Sequence, residues 1–374
     1  MKINNLQARL VLFGGFLLLI ILFGITVPGF AWKKPSGVLI DELPGVTDLL
    51  YFATDAPDNF IVYSPGKHAN RLILPASERM ADMVISPDGK TAWTATKSGF
   101  VDRYEIPVEG QFAATAGTMH KRIAPVLSSI AVSASGRFVA VGYGNSEDYN
   151  SRAVKILPAA TLSLADQLAE FTVSGDIQDI VANPARDLFY IINSHSDRVR
   201  IYNAGTFRLE SDILELGNSP GNFIVRPDGL CGYGAMNARR AVAVVDLEEN
   251  VTTEYISLGF PPYAMCFSSD GKILYTASRD TSEVAVIDTE QNKVVNSFQL
   301  TPRMSGLLES NFAEMIGVSS NGKYLFVMPK RPELLVYDIS TVMESANQNL
   351  KPEMVQSEIL ASTPFFMEVV RGYE

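Results

Sequence analysis

The apolar positions of this chain do not recur every three or four residues. They come in short runs separated by compact polar segments, as in Ile273-Leu274-Tyr275-Thr276-Ala277, a polar gap, and Val284-Ala285-Val286-Ile287-Asp288. Neither run is long enough for a helix of ordinary length, and both are rich in β-formers, so each predicts a strand. The polar segments share a form. Six of them read Ser86-Pro87-Asp88-Gly89-Lys90, Ser133-Ala134-Ser135-Gly136-Arg137, Asn183-Pro184-Ala185-Arg186-Asp187, Arg226-Pro227-Asp228-Gly229-Leu230, Ser268-Ser269-Asp270-Gly271-Lys272 and Ser319-Ser320-Asn321-Gly322-Lys323. Their central positions fall 47, 50, 43, 42 and 51 residues apart, the period of a four-stranded propeller blade.

Asp-Gly or Asn-Gly between β-rich runs supplies the positive φ of a tight turn, so each signature joins an inner strand to a second strand. A further copy is split between the two ends of the chain. Leu49-Leu50-Tyr51-Phe52-Ala53-Thr54 and Phe60-Ile61-Val62-Tyr63 match the second and third runs of a repeat, but no inner strand precedes them. Phe365-Phe366-Met367-Glu368-Val369-Val370 supplies the missing one. The expected fold is therefore all-β, a seven-bladed propeller whose C-terminal strand completes the first blade and leaves no open edge.

The repeat resembles that of the YVTN family of seven-bladed propellers, which runs as proline, inner strand, SPDGK, a Tyr-Val strand and a strand ending in Val-Ile-Asp. Gly259-Phe260-Pro261-Pro262-Tyr263 through Val286-Ile287-Asp288-Thr289 follows it closely, whereas Asn183 to Asp187 lacks the glycine. The likeness covers roughly residues 47 to 370. It implies an architecture and leaves activity open, since one propeller fold carries many functions.

Beyond residue 31 the chain carries 29 Lys and Arg against 41 Asp and Glu, with no basic run, which argues against nucleic acid as a partner. The first 31 residues differ in kind. After Lys2 and Arg9, Leu10 to Val27 form an uncharged apolar stretch of 18 residues, close to bilayer-spanning length at about 1.5 Å per residue. Pro28-Gly29-Phe30-Ala31 then offers a cleavage site, so residues 1–31 are either a signal peptide cut after Ala31 or a retained anchor that touches the membrane through residues 10–27. Both readings export the protein, although Lys33 and Lys34 weaken the charge asymmetry. The expected organisation is 1–31 signal or anchor, 32–46 linker, and 47–374 propeller, lying in the periplasm or an equivalent internal compartment.

Catalytic chemistry is sparse in the sequence. His68, His120 and His195 fall in three different repeats without a paired ligand, so no metal site is expected. Asn145 to Asn150 is rich in oxygen but lacks the spacing of a calcium loop. Neither Gly-x-Ser-x-Gly nor a phosphate loop occurs, and no Cys-x-x-Cys-His attaches a haem; no cofactor is expected and the catalytic residues, if any, are unknown. Cys231 and Cys266 lie in successive repeats and could pair or remain buried thiols.

Charge on the connections between second and third strands is sorted around the disc. In order these connections contribute Asp55 and Asp58; Lys97; Glu147, Asp148 and Tyr149; His195 and Asp197; Arg239 and Arg240; Arg279 and Asp280; and Lys330 and Arg331. Arg239, Arg240, Arg279, Lys330 and Arg331 form a basic sector suited to carboxylates or an anionic ligand, against a reading as solvated loop tips. Glu248, Glu249 and Glu254 belong to an acidic hairpin on the opposite face, and residues 301–312 lengthen one crossing between repeats.

Three function classes follow. The first is a non-catalytic propeller scaffold of an exported redox complex, resembling the propeller subunits of amine dehydrogenases and hydrazine synthase, whose partners are other protein subunits, some of them haem-bearing. The others are a stand-alone envelope propeller that binds a ligand and a lactonase-like hydrolase.

Overall fold

The computed structural model describes residues 43, 46, 48–55, 58–63, 71–75, 78–106, 119–145, 148–173, 175–193, 198–210, 216, 222–300, 313–329, 333–342, 352–359 and 364–370. The expected signal or anchor at 1–31, His68, His195, Asp197, the 301–312 loop, Lys330 and Arg331 lie outside these residues. The chain divides after Val38, and everything below concerns Leu39–Glu374. Among the described residues no helix is long and apolar enough to cross a membrane.

The architecture is all-β and antiparallel, in sheets of four strands, and fits a β-propeller. Strands are numbered in chain order. The first sheet contains β1 (Leu49–Asp55), β2 (Asp58–Tyr63) and β3 (Arg71–Pro75), with β28 (Pro364–Val370) along the free side of β1. Six further sheets follow, each built from consecutive strands. They are β4 to β7 (Met80–Ile85, Thr91–Thr96, Phe100–Glu105, Met119–Arg122) and β8 to β11 (Val126–Val132, Phe138–Asn145, Asp148–Pro158, Ala169–Val173). Next come β12 to β15 (Ile177–Ala182, Leu188–Asn193, Val199–Asn203, Arg208–Leu209) and β16 to β19 (Phe223–Val225, Cys231–Met236, Ala241–Asp246, Val251–Ser257). The last are β20 to β23 (Ala264–Phe267, Ile273–Ala277, Glu283–Asp288, Lys293–Gln299) and β24 to β27 (Ala313–Val318, Tyr324–Pro329, Glu333–Asp338, Glu353–Ile359).

Local chemistry fixes the turns. In the Ser86 turn, Ser86 Oγ donates to Asp88 Oδ1 at 2.6 Å and accepts the Thr91 N–H at 3.0 Å, while Gly89 takes φ +67°. The Ser268 and Ser319 turns repeat the arrangement with Asp270 and Asn321. Only glycine enters positive φ at these turns, which is why it sits there.

Burial is shared between sheets. Tyr190, Ile192 and Ile201 of the fourth sheet pack with Phe223, Ala243 and Val245 of the fifth, and Tyr233, Val242 and Val244 of the fifth pack with Leu274 and Ile287 of the sixth. Leu50 joins Phe326, Met328 and Val336 of the seventh. The innermost strands neighbour one another in the order β28, β4, β8, β12, β16, β20, β24 and again β28. Asp48, just before β1, accepts the Ser320 N–H at 3.0 Å and ties the first sheet to the turn of the seventh.

The placement of Glu147, Asp148 and Tyr149 on a connection needs correction. Asp148 and Tyr149 begin β10, with Asp148 paired to Asn145, because β9 and β10 extend past the blade core through a register shift between Asp148 and Arg152. Glu147 lies outside the described residues. Cys231 and Cys266 are free thiols, both pushed up by burial.

Candidate functional site in the cavity of the inner strands

Six of the innermost strands, β4, β8, β12, β16, β20 and β24, hand the chain to a tight turn. Four residues before that turn opens, the chain carries in sequence order Asp82, Ser129, Asp179, Asn222, Ala264 and Met315. In β4, β8, β12 and β24 the pairing register shifts immediately before this step, a bulge that re-aims the side chain. The result is a cavity of about 700 Å³ to which six of the sheets contribute, together with Tyr263 just before β20, and which is lined by Asp82, Ser128, Asp179 and Asn222 as well as by Tyr263, Met315 and Met367.

The polar lining is wired across sheets. Asp82 Oδ2 accepts the Ile130 N–H of the next inner strand at 2.9 Å, and its Oδ1 accepts the Met83 N–H at 2.7 Å. Ser129 Oγ lies 2.9 Å from Asp82 Oδ2 and 3.2 Å from Asp179 Oδ1, and accepts the Ile180 N–H of β12 at 3.0 Å. Asp179 Oδ1 also accepts the Ile180 N–H at 2.8 Å. Both carboxyls are wrapped by protein, with partial access to the cavity. Burial, and after it the negative charge of Asp179, pushes Asp82 up to about 7; burial raises Asp179 as well. Among the described residues no group of three His, Cys, Asp or Glu side chains is arranged to hold a metal.

The charged residues named from the sequence are placed elsewhere. Arg239 ends a 3-10 helix at Asn237–Arg239, exposed, with its guanidinium 5.0 Å over the Tyr255 ring. Arg240 follows it, exposed, at φ +50°. Arg279 is committed: Nε pairs with Glu314 Oε1 at 3.1 Å and the guanidinium lies 4.7 Å over Tyr263. Glu248 and Glu249 are exposed at the opposite end of β18, where their N–H groups donate to Asp246 Oδ1 and close the hairpin. Glu254 lies within β19 and accepts from Asn292 Nδ2 of the next sheet at 2.7 Å. Beside these charges, Val251 and Tyr255 of β19 and Val294 and Val295 of β23 are 37–49% exposed. His120 donates or accepts at Nδ1 with buried Asp102 at 2.6 Å and stacks on Phe100.

No protein-family model matches this sequence, and no curated protein does. Solved structures are similar to it in fold. A functionally unknown protein from Desulfotomaculum acetoxidans is 15% identical, with a TM-score of 0.68 over 87% of this chain and 99% of that one. The dihydro-heme d1 dehydrogenase NirN is 14% identical, with a TM-score of 0.57 over 86% of this chain and 74% of that one. Kuenenia stuttgartiensis hydrazine synthase is 15% identical, with a TM-score of 0.60 over 78% of this chain and 95% of that one. At such identities the likeness concerns fold alone, and the YVTN resemblance rests on the repeat.

The cavity carboxylates escaped the sequence reading because it compared the second-to-third-strand connections, where charge is frequent. The signal was present on the inner runs: aligned on the turns, one column reads Asp82, Ser129, Asp179, Asn222, Ala264 and Met315, with Asp at two of its six places.

Proposed function

We propose that this chain is a seven-bladed β-propeller, closed where β28 completes the first blade, and that it serves as a docking subunit of an exported redox assembly whose chemistry is carried by partner proteins. The YVTN-like repeat and the circular order of the inner strands support the closed, seven-bladed reading. The redox setting is taken from the fold likeness to NirN and hydrazine synthase. Export is taken from residues 10–27, whether cleaved after Ala31 or retained.

The observation that carries the docking role is the edge formed by β19 and β23. Apolar Val251, Tyr255, Val294 and Val295 are exposed there, with the cationic Arg239–Arg240 turn at one end of β18 and the anionic Glu248–Glu249 turn at the other. Apolar anchors inside a charged rim are what a specific protein partner needs: desolvation at the centre, orientation and rate at the border. Of the basic residues named from the sequence, Arg279 contributes least because Glu314 already neutralises it, and Lys330 and Arg331 lie outside the described residues.

Capture of native partners tests this directly. Haem-bearing proteins should co-purify in stoichiometric amount, and Arg239→Glu with Arg240→Glu should weaken that association about tenfold at low ionic strength, ~1.4 kcal/mol. Unchanged affinity at low salt would remove the docking role. The cavity favours a second reading, a propeller that binds a small ligand; a chain that purifies alone and whose cavity takes up a small molecule would support it.

A further inference from the structure

Counting hydrogens at Ser129 leaves one missing. The hydroxyl has a single hydrogen, and one of its lone pairs already accepts the Ile180 N–H at 3.0 Å. Its oxygen nevertheless lies within hydrogen-bond distance of two carboxyl oxygens, Asp82 Oδ2 at 2.9 Å and Asp179 Oδ1 at 3.2 Å. It can donate to only one of them. The other contact sets a hydroxyl lone pair close to a carboxylate oxygen, with only the Ile180 N–H that Ser129 Oγ and Asp179 Oδ1 both accept between them, and a proton held by that carboxyl and donated to Ser129 relieves it.

Among the described residues no cation of the surrounding strands takes that proton's place. The strands packed against β4, β8 and β12 are β1, β5, β9, β13, β16 and β28, and none of these nine contains Lys, Arg or His. The groups they present are Ser128 and Ser129 from β8, Gln178 and Asp179 from β12, Phe223 from β16 and Met367 from β28, with Asn222 just before β16. Asp82 and Asp179 are the acidic residues of these strands apart from Asp55, at the end of β1 and opposite Asp58, and Glu368 of β28, whose place in the sheet is opposite Tyr51.

We propose that Asp82, Ser129 and Asp179 form a proton-holding clasp across three consecutive inner strands: the two carboxyls share one proton through the Ser129 hydroxyl, and losing it with rising pH loosens the junction of those sheets. The same side chains also cap backbone N–H groups of the following strand, so the clasp couples ionisation to the contact between sheets. The upward push that burial exerts on both carboxyls, and that the negative charge of Asp179 adds at Asp82, agrees with this. A folded pair that keeps a proton already lost by the unfolded chain stabilises the fold at low pH. That contribution is present in full below about pH 4, is lost as pH rises to about 7, and is flat beyond. The clasp does not depend on the docking role.

The test uses the full chain and its Asp82→Asn and Asp179→Asn variants, followed by infrared absorption of the carboxylic-acid C=O stretch and by urea unfolding across the same pH range. Wild type should keep a protonated carboxyl to about pH 7, and its urea midpoint should fall between about pH 4 and 7. Asp82→Asn, whose amide supplies a permanent hydrogen, should lose the band and flatten that fall. Should Asp82→Asn fail to fold, Asp179→Asn decides: without the negative neighbour the band must titrate at lower pH. A wild type with no protonated carboxyl above about pH 5, or a band unchanged in both variants, overturns the clasp.

Discussion

Asn183 shows how one side chain can replace a three-residue turn code. The fourth sheet's turn has no glycine, and Asn183 Oδ1 accepts the N–H groups of Ala185 and Arg186 at 2.9 and 3.0 Å. Its Nδ2 donates to the Tyr190 hydroxyl at 3.0 Å and to the Gly229 carbonyl of the fifth sheet at 2.8 Å. The residue is fully buried, so truncation leaves several polar groups without water to replace it. Asn183→Ala should cost about 2–3 kcal/mol in urea unfolding, whereas Asn321→Ala, in an exposed turn retaining Gly322, should cost about 0.5 kcal/mol. Equal losses would mean that the turn, and not the link to the next sheet, sets the cost. From the sequence this turn reads as a weakened repeat. Glycine marks a backbone angle that any chain can spell out, whereas an asparagine that substitutes for it through a neighbouring sheet needs three dimensions to be recognised. The same limit hid Asp82 and Asp179, whose meaning lies in their 47- and 50-residue-distant contacts with Ser129.

Strands were far more legible than sites, because alternation and turn chemistry are local while docking and proton sharing are not. The run from Phe365 to Val370 reads as an inner strand, and β28 occupies Pro364–Val370 beside β1, with Leu50 opposite Val369 and Phe52 opposite Met367. Its other neighbour is β24, and there the approach is close. A Cβ added to Gly317 would stand 2.4 Å from Val369 Cγ2, too near for either branched side chain or backbone to absorb without moving. Gly317→Ala should therefore destabilise the protein by about 1–3 kcal/mol, and Val369→Ala, which removes the obstructing methyl groups, should recover much of that loss when combined with it. Additive losses in the double variant would show that Val369 is not the side chain that excludes a larger residue at position 317.

The whole molecule depends on that same strand in a different way. Among the described residues apolar clusters are shared between successive sheets, and β28 touches both β24 and β4 while pairing with β1. A chain ending at residue 360 would expose one edge of β1 and uncover inner faces on two neighbouring sheets at once. Open edges of this kind pair with other chains, and the closed propeller reading predicts loss of cooperative unfolding together with association into larger species. A synthetic peptide covering residues 361–374 should restore a single unfolding transition at micromolar concentration, with a midpoint that rises with peptide, since whatever binds only the folded state stabilises it by mass action. If the shortened chain instead melts in one transition at the temperature of the full one, the sheets hold together without a seam at β28, and the protein is an open array that happens to lay its last strand along its first.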